Sequence, residues 1–518
     1  MIDHGAVPPP LLLRHPTDAF SLRSNDDGGF RHPLRNGCKG RPANMQRSQG
    51  TVMVQITGTS PFSATDLEAL RAPVVKGTSR PEAWRRLQLD RLHSLVCDHE
   101  QEVLDALHQD LAKPPLEGMA EVVSLLQELK LARRNLRRWM RPQSVRVPIV
   151  QQPGRAQLIR EPLGCVLLIG PWNLPFSLTF WPLVSALAAG NTAVIKPSEQ
   201  APATAELIER LVPLHFPSDV VQVVNGDARV AADLVRLRFD HIFFTGGGRI
   251  GAKVLEGAAA NLTPVTLELG GKNPAVVLAG ADLEVTARRL IWGKGFNAGQ
   301  ACVAPDHILV EHSLKGPLLQ AMTDQRHALY GTNPLESEHM ASLISERHYK
   351  RLAGLIKTAK DDGRVLLGGE CDETRRRIAP TLISIQNNTD PLMADELFGP
   401  LLPVIEIDDF NDAITRIQSQ DKPLAIYLFG GDPDEQQRLL RTTSSGTVCF
   451  NDVILQAGVP GLAFGGVGAS GMGSHHGEAG FRTFSHERSV LKRSFWLDLP
   501  QRYPPYTLKP DTFRRLLS

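Results

Sequence analysis

Val166-Leu167-Leu168-Ile169-Gly170-Pro171-Trp172-Asn173 is the stretch on which the fold turns. Four apolar residues closed by Gly-Pro read as a strand buried on both faces that ends in a sharp turn. A helix is predicted over Pro175–Ala189, stopping at Gly190, and then a strand over Ala193–Ile195. The alternation continues as helix Thr204–Leu211, strand Val220–Val224, helix Arg229–Leu234, strand His241–Phe244, helix Arg249–Ala259 and strand Val265–Leu267. This rhythm predicts α/β architecture, a doubly wound parallel sheet with helices on both faces. Such sheets bind ligands beyond the carboxyl ends of their strands. Asn173, Lys196, Gly246 and Glu268 all fall just after predicted strands. Pro162–Ile195 carries no charge and is long enough to span a bilayer, but Gly170-Pro171, Pro175 and Pro182 would break a spanning helix, so the run is read as core.

Working outward, 518 residues exceed one core and predict two or three domains. The chain is 42% hydrophobic and 22% charged, with 57 basic against 55 acidic residues. That balance describes an ordinary globular protein, and the lack of a basic stripe argues against nucleic acid. Six cysteines (Cys38, Cys97, Cys165, Cys302, Cys371, Cys449) are scattered without a CxxC or paired histidines. Disulfides and metal are therefore not expected, and a reducing, cytoplasmic setting is. Residues 1–60, rich in Pro, Gly, Arg and Ser, are expected to be a disordered extension. Asp3, Asp18, Asp26 and Asp27 fit a targeting peptide poorly, and Met45 or Met53 could equally start translation.

From Pro81 to Met140 the pattern is helical: Leu92, Leu95, Val96, Leu104, Leu107 and Leu111 recur at three and four residues. Pro114-Pro115 separates a second helix bearing Val122, Leu126 and Leu129. These stripes are read as core without chemistry. Over Ser144–Arg160, β-branched residues flank Gln151-Gln152-Pro153-Gly154, which predicts a hairpin. A second α/β unit is expected from about Gly271 to Gly461, and the chain's return from it is not placed.

Cys302 lies in Phe296-Asn297-Ala298-Gly299-Gln300-Ala301-Cys302-Val303-Ala304-Pro305-Asp306, and Glu268 lies 34 residues upstream in Thr266-Leu267-Glu268-Leu269-Gly270-Gly271-Lys272. Each has a bland alternative: a lone Cys is usually a small buried hydrophobe, and a lone Glu often caps or pairs. Together they supply what oxidation through a thioester needs, a thiol that forms the covalent intermediate and a carboxylate that readies the water breaking it. The thiol is expected to need a lowered pKa, since a free one titrates near ~8.5.

With Gly170-Pro171-Trp172-Asn173, Lys196-Pro197-Ser198-Glu199, Phe244-Thr245-Gly246, the Glu268 and Cys302 stretches, and Glu396-Leu397-Phe398-Gly399-Pro400 in order, the chain resembles the aldehyde dehydrogenase superfamily from about Arg80 to Tyr506. Val303-Ala304-Pro305-Asp306, Phe464-Gly465-Gly466-Val467-Gly468, Ser470-Gly471-Met472-Gly473, His476-Gly477 and Arg502-Tyr503-Pro504-Pro505 are similar to its class 3 branch.

The resemblance implies a Rossmann-like cofactor domain (61–143 and 161–270), a catalytic domain (271–461) and bridging strands (144–160 and 485–505) that join subunits, giving a homodimer. It implies Cys302 as nucleophile, Asn173 with the Cys302 amide as oxyanion donors, and Glu268 as the base that activates the deacylating water. Lys196 and Glu199 would meet the adenosine ribose of NAD, with NADP accepted. The Gly246–Gly251 turn would offer amides to the pyrophosphate, Glu396 and Phe398 would hold the nicotinamide ribose and ring, and Trp172 would also touch the cofactor.

The expected substrates are medium or long aliphatic or aromatic aldehydes, and no metal is required. Ala301 stands where many relatives carry Thr, Gly247 where a hydroxyl residue is common, and His475-His476 where Tyr-His is usual. The hydrophobic membrane anchor at the C-terminus of some class 3 relatives is not expected in Phe513–Ser518. An acylating enzyme using coenzyme A and a non-catalytic relative are the competing possibilities. The presence of Glu268 speaks against the first, and the intact Cys302 and Glu268 against the second.

Overall fold

Proline punctuates the N-terminal helices. In this computed structural model, which describes residues 62–148, 151–498, 500–507 and 509–517, Ser63 and Asp66 form a capping box that starts α1 (Ala64–Val75). The extension expected over 1–60 lies outside the described residues. Pro81 precedes α2 (Glu82–Asp98), and α3 (Glu100–Leu111) follows after a kink at His99. Pro115 occupies the first turn of α4 (Pro115–Met140), where its missing N–H costs nothing. The predicted Leu/Val stripes of α2 to α4 merge into one buried cluster. β1 (Gln143–Val145) and β2 (Gly154–Pro162) pair antiparallel as the predicted hairpin.

The predicted alternation is present throughout as β3 (Cys165–Ile169), α5 (Ser177–Ala189), β4 (Thr192–Lys196), α6 (Pro202–His215), β5 (Val221–Val223), α7 (Ala228–Val235), β6 (His241–Thr245), α8 (Gly248–Ala259) and β7 (Val265–Glu268). These strands lie parallel in the order β7-β6-β3-β4-β5. β3 shows why the opening stretch decides the fold. Val166 and Leu168 join the cluster of α2 to α6, while Cys165, Leu167 and Ile169 join the one on the opposite face. Each fully buried Leu or Val side chain contributes roughly 1.5–3 kcal/mol, so a charge on either face would not be tolerated. α6 continues past the predicted end at Leu211 to His215.

The second unit contains β8 (Pro274–Val277), α9 (Leu283–Gly295), β9 (His307–Glu311), α10 (His312–Tyr330), α11 (Glu346–Asp361), β10 (Val365–Leu367), β11 (Cys371–Asp372), β12 (Arg377–Ile378), β13 (Thr381–Ile385), β14 (Leu401–Ile407), α12 (Phe410–Gln418), β15 (Ala425–Phe429), α13 (Pro433–Thr442) and β16 (Thr447–Phe450). Its sheet runs β10-β13-β14-β9-β8-β15-β16, parallel apart from β10.

The chain then returns to the first sheet through β17 (Gly471–Met472), antiparallel to β7 with Gly471 opposite Glu268. Two residues of strand were too short a signal to find in the sequence. α14 (Gly477–Thr483) packs on α4 and α5, and β18 (Ser485–Arg493) pairs with β2 along its length. The strand stops at Arg493, and within the predicted bridging segment a 3-10 turn, Pro500–Arg502, follows. Among the described residues no helix is long and apolar enough to cross a membrane.

Candidate active site

The loop after α9 turns through three left-handed residues in succession, Asn297 (φ 49°), Ala298 (φ 53°) and Gly299 (φ 72°). Glycine adopts this conformation freely and the other two are strained there, so the surroundings must hold them. At Gly299 a Cβ would also lie 2.4 Å from the Gly399 carbonyl oxygen. The Asn297 amide donates to Glu117 Oε2 (2.9 Å), and its side chain donates to the carbonyls of Asn173 (2.9 Å) and Gln300 (3.0 Å). Gln300 donates to the Ser342 carbonyl (3.0 Å) and accepts from the Ile344 amide (3.0 Å). Asn173 Nδ2 donates to the Gln300 carbonyl at 3.0 Å, which latches it to this loop and leaves one side-chain N–H free for a ligand.

Past the thiol the loop is clamped again. Asn273 Nδ2 donates to the carbonyls of Cys302 (2.7 Å) and Ala304 (3.0 Å), and its Oδ1 accepts from the Ala425 amide (2.9 Å). The Tyr427 hydroxyl donates to the Val303 carbonyl, and Lys294 Nζ to that of Pro305 (2.9 Å). Asp306 pairs with Lys272 and accepts from the Leu397 amide at 2.9 Å. The Cys302 loop and the Glu396–Phe398 loop are thereby joined through one carboxylate.

Glu268 ends β7 at 4% exposure, and neither of its oxygens has a hydrogen-bond partner. Burial alone pushes its pKa well above the ordinary carboxylate range. Glu396 is raised to about 8 by burial and then by the nearby Asp306 charge. It lies so close to Gly270 that a Cβ there would come within 2.1 Å of its Oε2. Half-buried Cys302 sits among these acids. Burial, followed by the Glu396 and Glu268 charges, pushes its thiol up to about 12. These carboxylates favour the neutral thiol, so the lowering that catalysis needs would have to come from local dipoles or the charge of the cofactor.

The residues expected to meet the cofactor lie in three places. Lys196, buried at the end of β4, pairs with exposed Glu199 at 2.6 Å. Trp172 meets the edge of Phe398 (ring centroids 5.2 Å) and His348 (5.1 Å). Gly246 and Gly251 were expected to offer amides, but both amides are already used, on the carbonyls of Glu268 (3.0 Å) and Gly247 (3.0 Å). Gly251 is a packing glycine, since a Cβ would sit 2.9 Å from Leu269 Cδ2. The open positions are Gly247 and Gly248, where a Cβ would meet nothing within 4 Å at an α8 start that lacks a side-chain cap. A dinucleotide phosphate fits this turn.

Sequence reasoning missed Asn273 and the acidic side of α4. Glu117 holds the Asn297 amide, and Glu121 Oε2 accepts from the Phe176 and Ser177 amides (3.2 and 3.0 Å) and the Ser177 hydroxyl (3.1 Å). Glu128 Oε1 accepts from the Gly477 amide at 2.7 Å. Glu121 is also paired with Lys113, both side chains 1% exposed. The available signal was a set of carboxylates sharing the helix face of the apolar stripe.

A thiol, an amide donor and the unpartnered carboxylate of Glu268, in a fold whose first parallel sheet carries a Gly-rich helix start, fit a dinucleotide-dependent oxidoreductase. Residues 70–490 match the model of the aldehyde dehydrogenase family. Aldehyde dehydrogenase family 3 member H1 of Arabidopsis thaliana is 41% identical over 441 residues, covering 85% of this chain and 91% of that protein. The substrate-bound state of AldH from Staphylococcus aureus superposes with a TM-score of 0.85 at 37% identity, covering 88% of this chain and 99% of that one. At 25% identity and a TM-score of 0.75, the chain is also similar to a glyceraldehyde-3-phosphate dehydrogenase from Methanocaldococcus jannaschii complexed with NADP (86% of this chain, 97% of that one) and to a betaine aldehyde dehydrogenase from Staphylococcus aureus with NAD+ (85% and 89%). The chain belongs to the aldehyde dehydrogenase family, of the class 3 type. It is an oxidoreductase that acts on aldehydes with a nicotinamide cofactor.

Proposed function

We propose that the reaction runs through a covalent adduct on Cys302 and ends in hydrolysis to the free acid. The Cys302 thiol gives its proton to solvent and the sulfur adds to the aldehyde carbon, while the spare Asn173 N–H and the Cys302 amide hold the oxygen that becomes negative. The C–H bond then breaks as hydride leaves that carbon, and the C=O re-forms as a thioester. A nicotinamide cofactor on the Gly247–Gly248 turn and the Lys196–Glu199 pair, with Trp172, Glu396 and Phe398 at its redox end, supplies the hydride acceptor when bound. Water then bonds to the acyl carbon, the C–S bond breaks with the electron pair on sulfur, and Glu268 takes the water proton. The observation that carries this reading is Glu268, a carboxylate buried beside the thiol with neither oxygen engaged. A carboxylate held only for structure would be paired. It also favours water over coenzyme A as the acyl acceptor.

NAD is the proposed cofactor, with NADP accepted, because the Glu199 carboxylate would repel a 2′-phosphate. Medium or long aliphatic and aromatic aldehydes are the proposed substrates, on the strength of the class 3 relatedness. We assign 61–143 and 161–270 to cofactor binding, 271–461 to catalysis, and 144–160 with 485–505 to bridging in a cytoplasmic homodimer. The outer edge of β18 supports the dimer. The test is product analysis with two variants. Cys302→Ala should abolish turnover while NAD still binds, and Glu268→Gln should give a burst of NADH and then stall. Ordinary steady turnover in either variant, or acyl-coenzyme A as the product, would refute the assignment.

A further inference from the structure

Glu268 faces one polar group across a box of rings. The backbone of His475 pairs with Phe464 in both directions (3.0 and 2.7 Å), which fixes where its side chain starts. The imidazole is 2% exposed. It is walled by Phe243 (centroids 5.3 Å), Phe464 (5.6 Å), Trp181 (6.3 Å) and His476 (4.1 Å). Its Nε2 lies 4.0 Å from Glu268 Oε1, and its Nδ1, like both Glu268 oxygens, has no hydrogen-bond partner. Two buried carboxylate oxygens without a partner are costly unless a donor reaches them at some point in the working cycle, and His475 Nε2 stands across the gap.

A buried carboxyl with no donor holds its proton, and a protonated carboxyl is no base. We propose that His475 is a positioning residue for the hydrolytic step: its Nε2–H donates to Glu268 Oε1, keeping that carboxylate ionised and aimed while it takes the proton from water. Closing 4.0 Å to a hydrogen bond takes roughly 1 Å of side-chain movement. The titratable groups around the pair are Cys302 and Glu396 on the thiol side and His476 and Glu128 on the other. Along the sheet lies His241, which bonds Thr266 Oγ1 at 3.0 Å. None of these is a permanent cation; the Trp181 indole N–H on the same wall also lacks a partner, but His475 Nε2 is the nitrogen that lies 4.0 Å from Glu268. Burial and the adjacent His476 hold His475 neutral, so it acts as a hydrogen-bond donor and its charge plays no part. The inference rests on Glu268 being the base.

The experiment measures hydride burst and acyl hydrolysis separately, across pH, in wild type, His475→Phe, His475→Tyr and His475→Gln. Burst amplitude counts the folded, competent sites, so a partly misfolded variant is still scored per active site. In His475→Phe the burst rate should stay near wild type, while the acid limb of hydrolysis moves up by about one pH unit, a tenfold loss below the limb. His475→Tyr and His475→Gln, which each retain a donor, should move the limb back toward wild type. An unmoved limb in His475→Phe overturns the proposal, as does a loss equal at every pH that neither donor variant relieves. If Glu268→Gln hydrolyses normally, the base assignment itself falls. If Glu268→Gln stalls while His475→Phe behaves as wild type, only the role of His475 falls.

Discussion

Replacing Asn273 with alanine tests whether the Cys302 loop is held by a side-chain clamp. Asn273 is fully buried, and its amide makes three bonds, to the Cys302 and Ala304 carbonyls and from the Ala425 amide. Asn273→Ala strands all three backbone groups in a dry interior. Each stranded group costs about 1–3 kcal/mol, less where water enters the space left behind, so we expect about 3–5 kcal/mol of destabilisation. Asn273→Asp separates shape from donation. It keeps the acceptor for Ala425 but points carboxylate oxygens at two carbonyls, and it should be at least as damaging at neutral pH. Denaturant unfolding reads the stability, and burst kinetics read the nucleophile. The burst should slow more than cofactor affinity falls, because the Cys302 carbonyl is directly released. A change below about 1 kcal/mol with an unaltered burst would mean that Asn273 fills space and clamps nothing.

Burial holds Glu117 up at about 7 against an ordinary 4.5, so between those values the unfolded chain sheds its proton first and wild-type stability falls as pH rises. Glu117→Gln keeps an acceptor for the Asn297 amide and cannot ionise, so it should gain about 2 kcal/mol over wild type at pH 8 and nothing at pH 4.5, measured by denaturation at both. Alkylation of Cys302 in cofactor-free protein should be slow at neutral pH and climb about tenfold per pH unit up to pH 10, as a thiol near 12 requires; a plateau near pH 8 would contradict that environment. Lys113→Met leaves Glu121 buried without its cation and should cost about 3–5 kcal/mol in denaturant unfolding, with the double variant Lys113→Met/Glu121→Gln recovering much of it.

The first parallel sheet was legible because each of its parallel strands is a short apolar run bounded by a turn signal, and βαβ order leaves little choice of topology. The β3 run from Cys165 to Ile169 serves two faces at once, and only an apolar sequence can do that. The second sheet was harder. Its strands follow the order β10-β13-β14-β9-β8-β15-β16, an arrangement that local pattern does not encode. β17 is two residues long and is specified by register against Glu268, so no periodicity could reveal it.

At the site, Cys302, Glu268 and Asn173 were legible because their motifs are local. Asn273 was not, because its three partners lie between 29 and 152 residues away. The error over Gly246 and Gly251 has the same origin. A run of glycines shows that the backbone must come close to something, but packing against Leu269 and approach to a phosphate leave the same mark on the sequence.

α4 explains how strained and scattered segments stay in register. Glu117 takes the Asn297 amide in the Cys302 loop, Glu121 takes those that follow Asn173, and Glu128 takes that of Gly477, two residues beyond His475. All three carboxylates sit on the same helix as the apolar residues Val122, Leu125 and Leu129, which are fully buried. The core packing of α2 to α6 therefore sets the position of three loops that are far apart in the chain. A helix within such a core moves as a unit, so the distances among Asn173, Cys302 and His475 are governed by one rigid element. Placing acids there is unfavourable on burial grounds alone, as the raised pKa values of Glu117 and Glu128 record. The Asn297 amide bonded to Glu117, and the Asn297 side chain bonded to the Asn173 and Gln300 carbonyls, hold that residue in a conformation it would otherwise leave. The stability forgone on this helix is thus returned as geometry at the thiol.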